Sequence, residues 1–353
     1  MRKRINTSDT SIRCVGLSNF SKKDLKKKDY QNYNAILYNT CYINSTMQCL
    51  FRLDGFVNNI SRALGKELTK ATLNLINEMM CTKSKNLSVL EIKQAMIKVD
   101  EKYKQNNPED VNEFISNYIN ALHEENLDKC SSSKVDKIKL LSEDDKKSFI
   151  NFYDKFYLKK GESFVLETFY GILRTKSYCR NCKTIFSVKF HAYNILEIPI
   201  YELIKNKYEI LHMKDILQKF ISTKEVKNST CCKCKINTFI RTDIFTLPKC
   251  LLIYFERNEE NNNYIWNDID ILKTINLQYY LYNKDGNNSD YDYKLKGVIY
   301  YSFLKDDLGH YTASCLINNK WIYFDDTFIE EQKNLKNRYK DEKPVLLFYE
   351  KIN

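Results

Sequence analysis

CYINSTMQCLFRLDGFVNNI, the stretch that runs from Cys41 to Ile60, places apolar residues at helical spacing: Ile43, Met47, Leu50 and Phe51. Asn39 and Thr40 stand just before it, and either suits the N-cap of a helix. Cys41 therefore falls in the first turn. There the backbone N–H groups and the helix dipole favour a thiolate, and the same N–H groups can donate to an oxyanion. A cysteine is more often a buried core thiol. Cys49, Cys250 and Cys315 lie inside apolar segments and are read that way. The polar frame of Asn39, Thr40, Asn44, Ser45 and Gln48 sets Cys41 apart as a candidate nucleophile.

Outward from that helix, PEDVNEFISNYINALHEE carries a second one. Val111, Phe114, Ile115, Tyr118, Ile119 and Leu122 form its apolar stripe, with Pro108 where a helix start tolerates proline. DKCSSSK, from Asp128, and the charged run on to Lys147 read as an exposed insertion. After about Phe164 short β-branched and aromatic segments dominate, among them SFVLETFYGIL, KTIFSVKF, CLLIYFE, GVIYYSF, TASCLI, KWIYFDD and VLLFYE. A helical half followed by a strand-rich half is an α+β pattern. Residues 1–30 read as a flexible basic lead-in, with Lys22, Lys23, Lys26, Lys27 and Lys28 its densest run.

A thiol nucleophile needs a base, and the chain has four histidines: His123, His191, His212 and His310. The first three sit in predicted helices or a strand. His310 follows a polar turn and precedes a strand, and Gly309 beside it offers backbone freedom. Downstream, KWIYFDD ends in Asp325 and Asp326. A hairpin turning around Asn318, Asn319 and Lys320 brings Asp325 back to His310, where a carboxylate can hold the imidazole tautomer. Successive strand side chains alternate, so a regular strand lets one of the two aspartates face His310, while a strand ending here in a turn lets both approach. Cys179–Cys182 and Cys231–Cys234 form two C-x-x-C pairs, which together offer four thiolates to one structural Zn²⁺.

Composition narrows the setting. The charge of +11 is spread along the chain, and hydrophobic residues make up 43% of it, as in folded globular proteins. No apolar h-region follows the charges of MRKRINTSDTSIRC, and no run of about 18 apolar residues exists, so neither secretion nor a membrane span is expected. The expected location is the cytoplasm, the nucleus or both, where 12 cysteines serve as metal ligands, nucleophile and core rather than disulfides.

The segment Asn39-Thr40-Cys41-Tyr42-Ile43-Asn44-Ser45, with Gln48 and Leu50, resembles the Cys box of the ubiquitin-specific proteases. Tyr293–Ile299, Gly309–Ala313 and Trp321–Asp326 resemble the His box of that family. Pro108–Phe114 is similar to its acidic helix motif, Phe169 to Cys182 to its first zinc knuckle, and Leu247-Pro248 through Arg257 to the strand after the second. The motifs stand in family order across roughly residues 35–350. The resemblance implies a papain-like cysteine protease with a helical thumb (about 35–165), zinc-tipped β fingers (about 166–246) and a β-rich palm (about 247–353), all within one catalytic domain over 31–353. It implies a deubiquitinase acting on ubiquitin and ubiquitinated proteins, with catalytic Cys41, His310 and Asp325. Asp110 and Tyr311 would contact ubiquitin, and Cys179, Cys182, Cys231 and Cys234 would bind structural Zn²⁺. An ordinary first-turn helix carboxylate is the competing reading of Asp110.

Two positions depart from the pattern. The family places an Asn, an oxyanion donor, five residues before the nucleophile, and here that position is Ile36; its usual Gly three before is Tyr38. Losing such a donor costs roughly 10²–10³ in rate, and the Cys41 backbone N–H remains, so impaired or differently assembled catalysis is expected rather than none. The loop SFLKDDLG before His310 also lacks the family's glycines. An inactive ubiquitin-binding scaffold is the first alternative. A zinc-dependent nucleic-acid binder is the second, and it leaves Cys41, His310 and the aspartates unexplained.

Overall fold

In the computed structural model the described residues are 14–19, 39–81, 86–105, 107–127, 142–158, 161–204, 209–258, 264–282, 288–303, 309–335 and 341–352. Helices dominate the first half: α1 (Cys41–Leu50), α2 (Asp54–Ile60), α3 (Glu67–Cys81), α4 (Leu90–Val99), α5 (Val111–Glu125), α6 (Glu143–Tyr153) and α7 (Phe164–Phe169). The stripe read on α5 is buried from Val111 to Leu122. Its N-cap is Asp110, whose carboxylate accepts from the N–H groups of Asn112 and Glu113.

Strands follow. A four-stranded sheet, in the order β4-β3-β8-β7, comprises β3 (Gly171–Tyr178), β4 (Ile185–Tyr193), β7 (Thr223–Thr230) and β8 (Asn237–Thr246). The larger sheet runs β15-β14-β13-β12-β16-β9-β5. Its members are β5 (Leu196–Pro199), β9 (Cys250–Glu256), β12 (Asp292–Phe303), β13 (Gly309–Ile317), β14 (Lys320–Asp325), β15 (Phe328–Gln332) and β16 (Lys343–Lys351), and β11 (Thr274–Asn276) pairs with β12. Two short parallel pairs complete the strands: β1 (Gly16–Leu17) with β2 (Asn86–Leu87), and β6 (Leu211–His212) with β10 (Ile269–Asp270). The mixture of helical and sheet layers is the expected α+β class.

The cores explain the layering. One joins the helices to the face of the large sheet that holds Ile299, Ala313, Cys315 and Phe324. A second covers the opposite face with Leu196, Ile198 and α8 (Met213–Phe220), so β5 and α8 leave the four-stranded sheet and pack with the larger one. A third, built on Phe149, Ile172, Phe190 and Phe245, seats α6 on the four-stranded sheet.

Two expectations are corrected. The charged run ending at Lys147 is not all exposed insertion: from Ser142 it folds into α6. Asp145 there is buried and paired to Arg174 at 2.8 Å, with Tyr282 donating to it at 2.9 Å. The part over 128–141 lies outside the described residues. Nor is the whole of 1–30 a flexible lead-in. Residues 14–19 form a built strip in which Val15 and Leu17 are buried. The lysine run 22–28 lies outside the described residues.

Candidate active site

Cys41 is the first residue of α1, and Thr40 is its N-cap. The threonine hydroxyl does not cap the helix. It donates backwards, to the Ser18 carbonyl at 3.3 Å. Helix α1 lies across β12, β13 and β14, which sets Cys41 against the start of β13. His310 stands there as the second residue of that strand. β13 and β14 are joined by a turn in which Asn318 (φ 49°) and Asn319 (φ 61°) are both left-handed, the backbone a tight two-residue hairpin turn demands and one that asparagine tolerates. The register Ala313↔Phe324 then returns Asp325 to His310. His310 Nε2 and Asp325 Oδ1 are 2.7 Å apart. A carboxylate accepts, so Nε2 carries the proton and Nδ1 is left for the thiol.

His310 is mostly buried, which disfavours its charged form. Its hydrogen bonds to Asp325 and to Cys41 outweigh that, and its pKa is pushed up to about 11. Gly309 is not there for backbone freedom, since its φ is not left-handed; a Cβ on it would collide with the ring of Tyr301.

Asp326 also approaches this pair: the ligand atoms of His310, Asp325 and Asp326 all lie within 4.8 Å of one another. Its φ of 50° ends the regular strand and aims its carboxylate at α1, where it accepts from Asn44 Nδ2 at 2.7 Å and from Asn19 Nδ2 at 2.8 Å. Burial raises its pKa. Asn19 belongs to the 14–19 strip, which is tied down along its length. Gln48 Nε2 donates to the Val15 carbonyl at 2.7 Å, and Leu17 N–H donates to the Asp326 carbonyl at 3.0 Å. A Cβ on Gly16 would stand 2.7 Å from the Thr327 backbone, so only glycine permits this approach. Asn19 Oδ1 in turn accepts the Thr40 N–H at 3.1 Å. A side-chain amide thus sits one residue from Cys41, although residues 20–40 separate Asn19 from Cys41 in the sequence.

Tyr311, next after His310, is buried with its hydroxyl 3.4 Å from the Val111 N–H, beside Asp110. Burial raises the pKa of Asp110. Tyr301 lies within electrostatic reach of both Asp110 and Cys41, and Asn112 Nδ2 donates to Glu197 across to β5 at 2.9 Å. The expected acidic and aromatic residues therefore gather at the junction of α5 with the large sheet, near Cys41. Asp110 is a helix cap as well, so one of its oxygens is already engaged.

The other histidines are elsewhere. His123 Nδ1 lies 2.7 Å from Ser163 Oγ, His212 pairs with Asp270, and His191 is exposed on β4.

Away from this site, the two C-x-x-C pairs meet at the tip of the four-stranded sheet. Each forms the same turn. Cys179 N–H donates to the Thr184 carbonyl at 2.9 Å and Cys231 N–H to the Ile236 carbonyl at 2.8 Å, with Lys183 and Lys235 left-handed in equivalent places. The sulfurs of Cys179, Cys182, Cys231 and Cys234 all lie within 4.8 Å of one another. Tetrahedral Zn–S bonds of about 2.3 Å require sulfurs about 3.8 Å apart, so this donor set fits the metal. Cys232 is exposed and outside the cluster.

A family model described as ubiquitin carboxyl-terminal hydrolase matches residues 34–349. The chain belongs to that family. Among similar curated proteins, ubiquitin carboxyl-terminal hydrolase Usp2 of Drosophila melanogaster is 25% identical over 333 residues, covering 89% of this chain and 34% of the relative. Probable ubiquitin carboxyl-terminal hydrolase 4 of Schizosaccharomyces pombe is 23% identical, covering 91% of this chain and 59% of its own length. The chain thus spans only part of the relatives it matches. Among solved structures, the SAGA DUB module of Ubp8, Sgf11, Sus1 and Sgf73 bound to monoubiquitin matches with a TM-score of 0.67 at 19% identity, covering 89% of this chain and 67% of that one. The likeness extends the family assignment to the fold.

Within this hydrolase-family chain, Ile36 and Tyr38 lie outside the described residues. The structure instead sets the Asn19 side chain against the Thr40 N–H, a neighbour that counting back from Cys41 could not reach because 20–38 intervenes. The signal that would have found it is local: Val15-Gly16-Leu17 is an apolar, glycine-bearing strand start inside an otherwise polar lead-in, and Asn19 follows it directly.

Proposed function

We propose that the chain is a thiol protease that hydrolyses the peptide or isopeptide bond after the C-terminal glycine of ubiquitin. The observation that carries this is one constellation: a cysteine starting a helix, hydrogen-bonded to a histidine whose other nitrogen is held by Asp325 at 2.7 Å. Cys41 sulfur attacks the glycine carbonyl. The Cys41 N–H and the second N–H of the Asn19 amide, whose first donates to Asp326 at 2.8 Å, would donate to the oxyanion. His310 gives its proton to the departing lysine amine, and water, deprotonated by His310, then hydrolyses the thioester. Asp325 keeps the imidazole oriented throughout. Asp110 attracts the basic tail of ubiquitin, while Tyr311 packs against the helix start beside it. Cys179, Cys182, Cys231 and Cys234 hold a zinc ion whose role is to fix the sheet tip. Ubiquitinated proteins of the cytoplasm or nucleus are the substrates.

An inactive scaffold of the same fold is not favoured, because the three reacting side chains are in bonding contact and an amide stands beside them. Ubiquitin carrying a C-terminal thiol-reactive group tests the reading. A covalent adduct mapping to Cys41 by mass spectrometry is expected. An adduct on another cysteine, or none, sinks it.

A further inference from the structure

One residue pair deeper in the sheet than His310 and Asp325 lies a carboxylate that touches neither the sulfur nor the imidazole. Glu342, just before β16, is 1% exposed. Its Oε1 accepts the Thr312 hydroxyl at 2.8 Å and the Tyr323 hydroxyl at 2.5 Å. Thr312 is two residues after His310 on β13, and Tyr323 is two before Asp325 on β14. Side chains alternate along strands, so all four project from the same face. The register Ala313↔Phe324 sets Thr312 opposite Asp325. Tyr323 is hydrogen-bonded to Thr312 and in electrostatic contact with Asp325.

The backbone ladder does not by itself join the two reacting residues. The β13–β14 pairing ends at Ala313↔Phe324. His310 is paired outward to Ser302 on β12, and Asp325 outward to Phe328 on β15. Each is fixed to a different neighbour, at the end of the hairpin where the strands are free to splay. A single oxygen bonded to both strands one step inward closes that gap. Burying a carboxylate costs several kcal/mol unless charge-assisted hydrogen bonds offset it, and an apolar side chain of similar volume is often the more stable choice.

We propose that Glu342 is a positioning residue: through Thr312 and Tyr323 it sets the spacing of β13 and β14 where they carry His310 and Asp325, and so the alignment of that pair. This rests on the proteolytic reading of the site. A misplacement of about 1 Å at a reacting group costs on the order of 10²-fold in rate.

The test compares Glu342→Leu, Glu342→Gln and the double variant Thr312→Val with Tyr323→Phe, using ubiquitin with a fluorogenic C-terminal amide and His310 titration by NMR. Gln keeps an acceptor for both hydroxyls, so Glu342→Gln should retain kcat within about threefold, while Glu342→Leu loses at least tenfold in kcat with KM little changed. The double variant keeps the acid and should lose kcat in the same way, which preserves the test if Glu342→Leu does not fold. In both damaged variants the His310 midpoint should fall towards the ordinary imidazole range. A double variant with unchanged kcat and an unmoved midpoint overturns the proposal, as does Glu342→Gln damaged as badly as Glu342→Leu. A wild-type protein inert towards ubiquitin would instead sink the proteolytic reading. The His310 midpoint does not need turnover and still decides whether Glu342 positions the pair.

Discussion

Asp325 and Asp326 carry the same group, and a rotation of the backbone gives them different work. Asp325 bonds His310; Asp326, left-handed, stays within 4.8 Å of both but is held by the amides of Asn44 and Asn19. Asp325→Ala should lower kcat by roughly 10³–10⁴, the scale of losing the group that orients a catalytic imidazole. Asp326→Ala should cost less, because it loosens the amides around α1 and leaves the imidazole bonded. The reverse order in purified, folded variants would move the orienting role to Asp326. His310 also sets a pH signature. Its pKa rises on folding, so the stability it contributes is complete below about 6.5 and is lost as pH climbs through about 11. Asp325→Ala should bring that loss down towards neutral pH in thermal melts. Asn19→Ala should reduce kcat by roughly 10²–10³ if its amide serves the oxyanion, with KM nearly unchanged; a loss of less than threefold would leave the Cys41 N–H as the sole donor. At this scale Cys41, His310 and Asp325 are each read from a local pattern, and the fold brings the three side chains together. Asn19 is not, since its importance comes from where the chain returns.

Elements were legible where the pattern is local. The α5 stripe is a periodicity that one can count, and the β13–β14 hairpin follows from two asparagines between alternating strands. Helix α6 was hidden because Glu143, Asp144, Asp145, Lys146 and Lys147 look solvated. Its seat is a buried ion pair with Arg174, and a distant partner leaves no mark on the charged run itself. The two knuckles were legible from C-x-x-C spacing alone. What the sequence leaves open is how the pairs meet across the intervening chain; β3 beside β8 answers that. Cys182→Ser should lower the thermal midpoint and abolish stoichiometric zinc, while the folded fraction still labels at Cys41. Elemental analysis that finds no zinc in freshly purified wild-type protein would refute the metal assignment.

For the whole molecule, the order of the motifs along the chain already implied helices first and sheets after. It did not reveal that the strip carrying Asn19 and the helix carrying Cys41 adjoin across residues 20–38. The Thr40 N–H bonded to Asn19 means that this stretch starts and finishes at one place. The cost of joining two fixed chain ends grows slowly with the length of the connection, by about 0.6 kcal/mol for each doubling. Replacing 20–38 by a short glycine–serine linker should therefore leave kcat within about threefold, measured on the same ubiquitin amide. A collapse of activity with the fold intact would give that stretch a part in the chemistry.

The 14–19 strip is held by a parallel strand pair with β2, by Gln48 and Asn44 on α1, and by the Asp326 backbone and side chain. None of those bonds depends on the peptide links through 20–38. In the language of fragment complementation, the strip is a ligand and the remainder of the fold its receptor. A cut anywhere within 20–38 would turn one chain into a two-component system, with Asn19 on a separate short peptide. Turnover would then rise and saturate with the concentration of that peptide, as with an essential activator.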